Sequence, residues 1–235
     1  MIKKYQNKEW LEKKYIEEEI LTVQIAKLCG VNNTTIGKWL KRFNISRYSR
    51  GEAAHLASAN HCNLSQEAID WISGEMLGDG SIQFVSPYSA YFVYASKYLE
   101  YIQYIKNTLK SFGIKGGKII KRYHKERDYY SYFYRSYCYV ELLVLRKKWY
   151  LNNKKIIPKD LKLIPIILRQ HYIGDGSLQH PKIGKPYAYL YTNGFTVPDV
   201  KWLTDKINKL GFKATRQPTV NSIRIFGCSL HNFLN

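Results

Sequence analysis

The chain has 235 residues, 45% of them hydrophobic, enough for a folded protein with a sizeable core and too many for a disordered one. Its net charge of +19 points to a polyanionic partner, nucleic acid foremost. The N-terminal MIKKYQNKEW lacks the apolar core of a signal peptide, and no apolar run approaches membrane-spanning length, so no membrane partner is expected.

Residues 8–44 read as helical, and LTVQIAKLCGVNNTTIGKWLKRFNIS carries a helix-turn-helix pattern. Ile25, Ala26 and Leu28 give an apolar face, Gly30 permits a tight turn, Val31 plugs it, and Asn32 or Asn33 can cap the next helix. Ile36, Trp39 and Leu40 bury that helix. Asn33, Thr34, Thr35, Lys38, Lys41 and Arg42 are the side chains it would offer to DNA. A small all-α DNA-binding domain is expected over 1–46.

Residues 47–65 change to small, polar and basic side chains and read as a linker with a short helix, in which Arg47 and Arg50 could track phosphate. His55, His61 and Cys62 lie close together, but no fourth ligand has suitable spacing, so they read as structural. The four cysteines, Cys29, Cys62, Cys138 and Cys228, form no CxxC pair, which fits a reducing, intracellular compartment: the cytoplasm or nucleoid of a prokaryote or phage host, or an organelle.

From residue 66 the chain is duplicated. WISGEMLGDGSI (71–82) is an apolar helical run that closes on Gly-Asp-Gly, and LRQHYIGDGSL (168–178) repeats it at an offset of 96 (79 to 175). Strands follow at 81–86 and 90–96 in the first half and at 177–180 and 187–192 in the second. YIKNTLKSFGIK (104–115) then matches WLTDKINKLGFK (202–213) as an amphipathic helix. Each half adds another strand pair, with turns near Arg127-Asp128 and Val220-Asn221; helix 140–150 closes the first half, and the second stops where its counterpart should begin. The halves are expected over 66–161 and 162–235, in an α+β fold of two αββαββα units related by a pseudo-twofold axis.

A carboxylate at a helix C-terminus faces the negative end of the dipole. The glycines are expected to close each helix in the left-handed conformation and to swing the chain into the next strand. If the helices meet, with Gly74, Gly78 and Gly174 allowing close approach, Asp79 and Asp175 come together. The free carbonyls near Gly78 and Gly174 then point at the same spot. Carboxylates and carbonyls at a negative dipole end suit a hard divalent cation such as Mg²⁺. In a strongly basic protein that combination suggests phosphodiester hydrolysis.

ISGEMLGDG (72–80) and LRQHYIGDG (168–176) resemble the signature of the LAGLIDADG homing endonucleases, and the similarity extends over roughly residues 66–235. The resemblance implies a saddle of two antiparallel sheets gripping the major groove, Mg²⁺ held at the helix ends, and double-strand cleavage with short 3′ overhangs at a long, asymmetric target. Mn²⁺ is expected to substitute and Ca²⁺ to bind without cleavage, with the protein acting as a monomer on double-stranded DNA. NNKKIIP (152–158) looks like the family's Lys-x-Ile-Pro stretch and suggests Lys155 as a pocket lysine near the scissile phosphate. Lys97 and Asn193 stand where members place polar residues that organise water. Gln170 departs from the small residue the pattern prefers, which implies looser or polar packing there. The second half has no equivalent of Lys155, so either the second centre is asymmetric or the sequence is cut short. The first residue and the final HNFLN fit a free-standing protein rather than an intein remnant.

Base contacts should come from alternate residues of the sheets: Gln83, Tyr94, Lys121, Tyr123, Arg135, Tyr189, Arg216 and Arg224. Without the register, the face that each occupies stays open. A DNA-binding regulator that has lost catalysis and an intron RNA maturase are the alternatives to an endonuclease. The first would be expected to lack both acids.

Overall fold

The computed structural model describes residues 3–58 and 60–234. The chain divides between Ala59 and Asn60 into two compact units, inside the stretch that reads as a linker.

The first unit is helical: α1 (Lys8–Glu12), continued by a wider turn through Glu17, α2 (Thr22–Cys29), α3 (Asn33–Arg42) and α4 (Arg50–Ser58). Gly30, at φ 64°, closes α2 in the left-handed conformation, and the Asn32 side chain caps α3 by accepting from the Thr34 N–H at 3.0 Å. Leu11, Ile25, Ile36 and Leu40 are fully buried, with Val31 and Trp39 packed against them. Leu28 departs from expectation: it is 67% exposed, because the inward stripe of α2 runs through Ile25, Ala26 and Cys29 instead.

The second unit repeats one pattern. Its first half holds α5 (Gln66–Leu77), β1 (Ser81–Ser86), β2 (Ser89–Ser96), α6 (Leu99–Ser111), β3 (Ile120–His124), β4 (Tyr129–Arg135) and α7 (Val140–Trp149). A two-stranded hairpin, β5 (Tyr150–Leu151) and β6 (Lys154–Lys155), follows. The second half holds α8 (Pro165–Asp175), β7 (Gly176–Gln179), β8 (Tyr187–Leu190), α9 (Val197–Lys209), β9 (Ala214–Gln217), β10 (Ser222–Ile225) and α10 (Gly227–Leu234). The sheets run β1-β2-β4-β3 and β7-β8-β10-β9, the same antiparallel order in each half. One apolar core, including Ile72, Phe92, Tyr134, Ile167, Leu190 and Ile223, is shared by both.

α5 and α8 pack directly on one another. Gly74 and Gln170 are equivalent in the repeat and meet at the crossing: a Cβ on Gly74 would stand 2.6 Å from the Gln170 Cβ and 2.9 Å from the Ile167 carbonyl. Of the looser or polar packing expected at Gln170, the structure shows the polar form: the side chain is fully buried in the space that Gly74 leaves, with its amide nitrogen 3.4 Å from the Tyr104 hydroxyl. Further along, Gly78 and Gly174 face each other with the spacing of ordinary contact.

The register resolves which face each strand residue occupies. Side chains alternate across a strand, and cross-strand partners share a face. Ala90, Phe92, Tyr94 and Tyr134 are buried, so one face of the first sheet looks into the core. Gln83 with Tyr91, Arg135 with Val93, Arg122 with Ser131, and His124 with Tyr129 therefore lie on the open face. In the second sheet the core face carries Ala188, Leu190, Ile223 and Ile225, and the open face carries Tyr189 and Arg224. Four expected base-contacting residues fall on the other side. Tyr94 is buried. Lys121 and Tyr123 pair with Tyr132 and Tyr130, and Arg216 pairs with the buried Ile223.

Candidate active site

The two Gly-Asp-Gly turns come together where α5 and α8 end. The glycines after the aspartates are required, though not for a left-handed backbone, since neither has φ in that region. Each crosses back over its own helix. Gly80 donates its N–H to the Glu75 carbonyl at 2.8 Å, and a Cβ there would stand 2.6 Å from that oxygen; at Gly176 a Cβ would collide with the Tyr172 carbonyl. The tight return lets each chain pass from the buried helix directly into the first strand of its sheet.

Asp175 is half-buried and Asp79 more open, and the two carboxylates lie close enough for their charges to interact. Burial, then repulsion from Asp79, pushes the Asp175 carboxyl up to about 6, against a lowering by Lys155. Burial also raises Asp79, and Lys155 opposes it. Lys155 stands between them, its ammonium donating to the carbonyls of Gly78 at 2.8 Å and Gly80 at 2.7 Å. Burial brings it down to about 8, with Asp175 and then Asp79 working to retain the proton. The Gly78 carbonyl, expected to face a cation, is thus occupied by this ammonium.

A hairpin places the lysine. Asn152 and Asn153 both have positive φ, at 48° and 61°, which is the two-residue turn that matches strand twist and which asparagine tolerates. Tyr150 pairs with Lys155 across it. Arg146 stacks its guanidinium on the Tyr150 ring, donates to the Ile82 carbonyl and holds the Asn153 side chain at 3.0 Å, tying the turn to β1. The Asn-Asn pair was the available signal for this hairpin; the Lys-x-Ile-Pro likeness alone gave only a loop.

Beside Asp79 lies a cavity of about 870 Å³ lined by Tyr94, Lys97, Tyr101, His124 and Tyr129 among others. Lys97 sits 4.6 Å over the Tyr129 ring. Asn193, its counterpart, is exposed in the turn between β8 and α9 and lines no part of that cavity. Tyr101 donates to the buried Glu75 at 2.9 Å; burial, and then the charge of Asp79, carries Glu75 up to about 8 despite that bond. Burial holds Tyr94, near Glu75 and both aspartates, in its protonated form. In the second half the residue equivalent to Glu75 is His171, fully buried and pushed down to about 4, with Nε2 3.2 Å from the Tyr191 carbonyl. Neither Glu75 nor His171 stands out in the sequence: Glu75 is a single charged letter in an apolar run, and His171 follows Arg169 and Gln170 with nothing to mark it as the buried one.

The open sheet faces are aromatic and basic. Arg135 lies 4.5 Å from the Tyr91 ring, Arg122 4.7 Å from Phe133 and Arg224 3.8 Å from Tyr187. Arg216 instead donates to the Asn221 side chain at 2.7 Å, a bond that closes the β9–β10 turn. In the first unit Asn33, Thr34, Lys38, Lys41, Arg42, Arg47 and Arg50 are exposed, and Thr35 is half-buried. His61 and Cys62 bind the same carboxylate, Glu141, at 2.9 Å and through the Cys62 N–H at 3.1 Å, so they serve as a clamp on α7; the side chain of His55 lies outside the described residues. Among the described residues no group of three or more His, Cys, Asp and Glu side chains could hold a metal ion, and no helix is long and apolar enough to cross a membrane.

A sequence profile of the LAGLIDADG DNA endonuclease family matches residues 69–233, which includes both Gly-Asp-Gly turns and both sheets. The chain belongs to this LAGLIDADG family. It is 26% identical over 219 residues to "Uncharacterized protein MJ1098" of Methanocaldococcus jannaschii, covering 91% of this chain and 84% of the relative. It is also 26% identical over 168 residues to the cytochrome b mRNA maturase bI2 of Debaryomyces hansenii, covering 66% of this chain and 62% of that protein. In structure it is similar to the homing endonuclease I-WcaI bound to its DNA recognition sequence, with a TM-score of 0.64 at 17% identity, covering 83% of this chain and 90% of the other. The LAGLIDADG fold is thus established, as two repeats whose named helices, α5 and α8, form the central contact.

Proposed function

We propose that the protein is a sequence-specific double-stranded DNA endonuclease that hydrolyses one phosphodiester on each strand, leaving short 3′ overhangs, and acts as a single chain. The observation that carries this reading is the pairing of Asp79 and Asp175 with Lys155 between them, at the shared end of α5 and α8.

The donor set fits a divalent cation. Two carboxylates, each raised by burial and one of them further by the other, hold more negative charge than a single ammonium offsets. Asp79 and Asp175 would hold Mg²⁺, with Mn²⁺ as a substitute and Ca²⁺ binding without cleavage. Gly174 remains a candidate carbonyl donor, whereas Gly78 is engaged by Lys155. Such a cation, when bound, polarises the phosphate and lowers the pKa of water. Lys155 places a desolvated positive charge where negative charge develops on the phosphate. Lys97 lines the cavity beside Asp79 and can orient water there; Asn193 would do so for the other half. Gln83, Arg135, Tyr189 and Arg224 on the open faces contact bases, and Arg122 and His124 join them.

A second reading is favoured by the likeness to the mRNA maturase: binding of structured RNA by the same fold. Mapping double-strand breaks made in a pooled DNA library with Mg²⁺ and with Ca²⁺ tests both. Specific cuts with Mg²⁺, lost in Asp79→Asn and Asp175→Asn, support the endonuclease. Tight binding without cleavage indicates a regulator, and preference for structured RNA indicates the maturase.

A further inference from the structure

The family match leaves the first unit unexplained. α3 carries no acidic residue, and its solvent side presents Asn33, Thr34, Lys38 and Lys41. Gly37 lies in the middle of that face, one turn from Thr34 and from Lys41. The guanidinium of Arg47 packs over it at ordinary contact distance: its Cζ and Nη1 lie 3.7 Å from where a Gly37 Cβ would stand.

Arg47 is brought back over α3 by a built return. Asn44 takes a left-handed conformation at φ 56°, and Ile45 is buried with its N–H bonded to the Leu40 carbonyl at 2.9 Å. Tyr48 is then fixed by two bonds to Tyr15: its N–H donates to the Tyr15 hydroxyl at 2.9 Å, and its own hydroxyl donates to the Tyr15 carbonyl at 2.7 Å. Arg47 is anchored on both sides, with its side chain outward on the polar face.

We propose that the first unit holds a second DNA site, beyond the carboxylate pair, in which Arg47 reads a guanine in the major groove. A planar guanidinium laid along the centre of a groove-sized helix face matches the O6 and N7 acceptors of guanine with two parallel bonds. Thr34 and Asn33 flank it toward the helix start, where base edges are met, and Lys38 and Lys41 supply phosphate contacts. This site is read through binding and does not depend on whether the chain cuts DNA.

The experiment is a binding selection on pooled random duplex DNA with the full chain in EDTA, comparing the native protein with Arg47→Lys, Arg47→Ala and Lys38→Ala. Arg47→Lys keeps the charge and loses the fork. It is expected to erase preference for guanine at one position and lower affinity for the selected site by about 10-fold. The salt dependence of binding stays unchanged. Lys38→Ala is expected to weaken all sequences equally and reduce the salt slope by about one. A preserved base preference in Arg47→Lys, with only the salt slope falling in Arg47→Ala, would reduce Arg47 to a phosphate contact and overturn the proposal. Unchanged selection and affinity in all three variants would overturn the site itself. Thermal melting of each variant checks that the exposed substitutions leave the fold intact.

Discussion

The Lys155 ammonium donates to the Gly78 carbonyl at 2.8 Å, one residue before the aspartate whose charge it balances. Lysine and turn are therefore locked together before any substrate arrives, and the charge is already desolvated. Lys155→Met is expected to slow single-turnover cleavage by roughly 10²- to 10³-fold, as for loss of an oriented charge donor in a dry site. DNA affinity should change far less. Equal loss in binding and cleavage would show that Lys155 only anchors DNA.

The carboxylate pair sets an opposing demand on stability. Asp175 has its proton held more tightly in the folded chain, at about 6, than its ordinary 3.8. The stability this contributes is full below 3.8 and is lost as pH rises through 6. Above that pH the Asp175 charge stands against that of Asp79. Asp175→Asn is expected to abolish cleavage while raising the free energy of unfolding without metal by on the order of 1 kcal/mol once solvent screening is allowed for. Urea titration at pH 7.5 and at pH 4 checks it, since the gain should shrink at the lower pH.

Cleavage should also have two pH limbs. Ionisation of Asp175 near 6 brings the rising limb, which a bound cation moves lower, and loss of the Lys155 proton near 8 brings the falling one. Single-turnover rates from pH 5 to 9.5 measure both, and Lys155→Arg should shift or remove only the falling limb.

Gly80→Ala places a methyl 2.6 Å from the Glu75 carbonyl oxygen, where backbone rather than a flexible side chain must give way. A loss of about 2–4 kcal/mol is expected, at the upper end for a single substitution. Gly78→Ala meets only ordinary contacts and should be milder. Equal effects in urea unfolding would contradict this reading of the turns.

Arg135→Ala should relax base preference in the break-mapping library and leave stability nearly unchanged. Arg216→Ala should leave base preference intact and lower stability by about 1 kcal/mol through the lost bond to Asn221.

Much of this was legible in the sequence because the chain states its pattern twice. The repeated Gly-Asp-Gly-Ser after an apolar run located α5, α8 and the paired acids. Period-two alternation could not choose a face, however, and the choice went against Tyr94, whose ring is drawn inward by Phe92 and Tyr101. Arg122 was passed over for its neighbour Lys121 for the same reason. The role of Gly80 was named, but its cause was not: backbone dihedrals suggest a left-handed glycine, and what decides is a carbonyl oxygen three-dimensionally close and only five positions away.

Gly74 opposite Gln170 also bears on ancestry and engineering. A pair of identical first halves would bring two glycines to the crossing and leave a hole the size of a glutamine side chain. Two identical second halves would drive one glutamine into the other. The halves are therefore lock and key to each other and not to themselves, so the single chain enforces a heterotypic pairing, and a chimaera with a half from another member must exchange this residue pair as a unit.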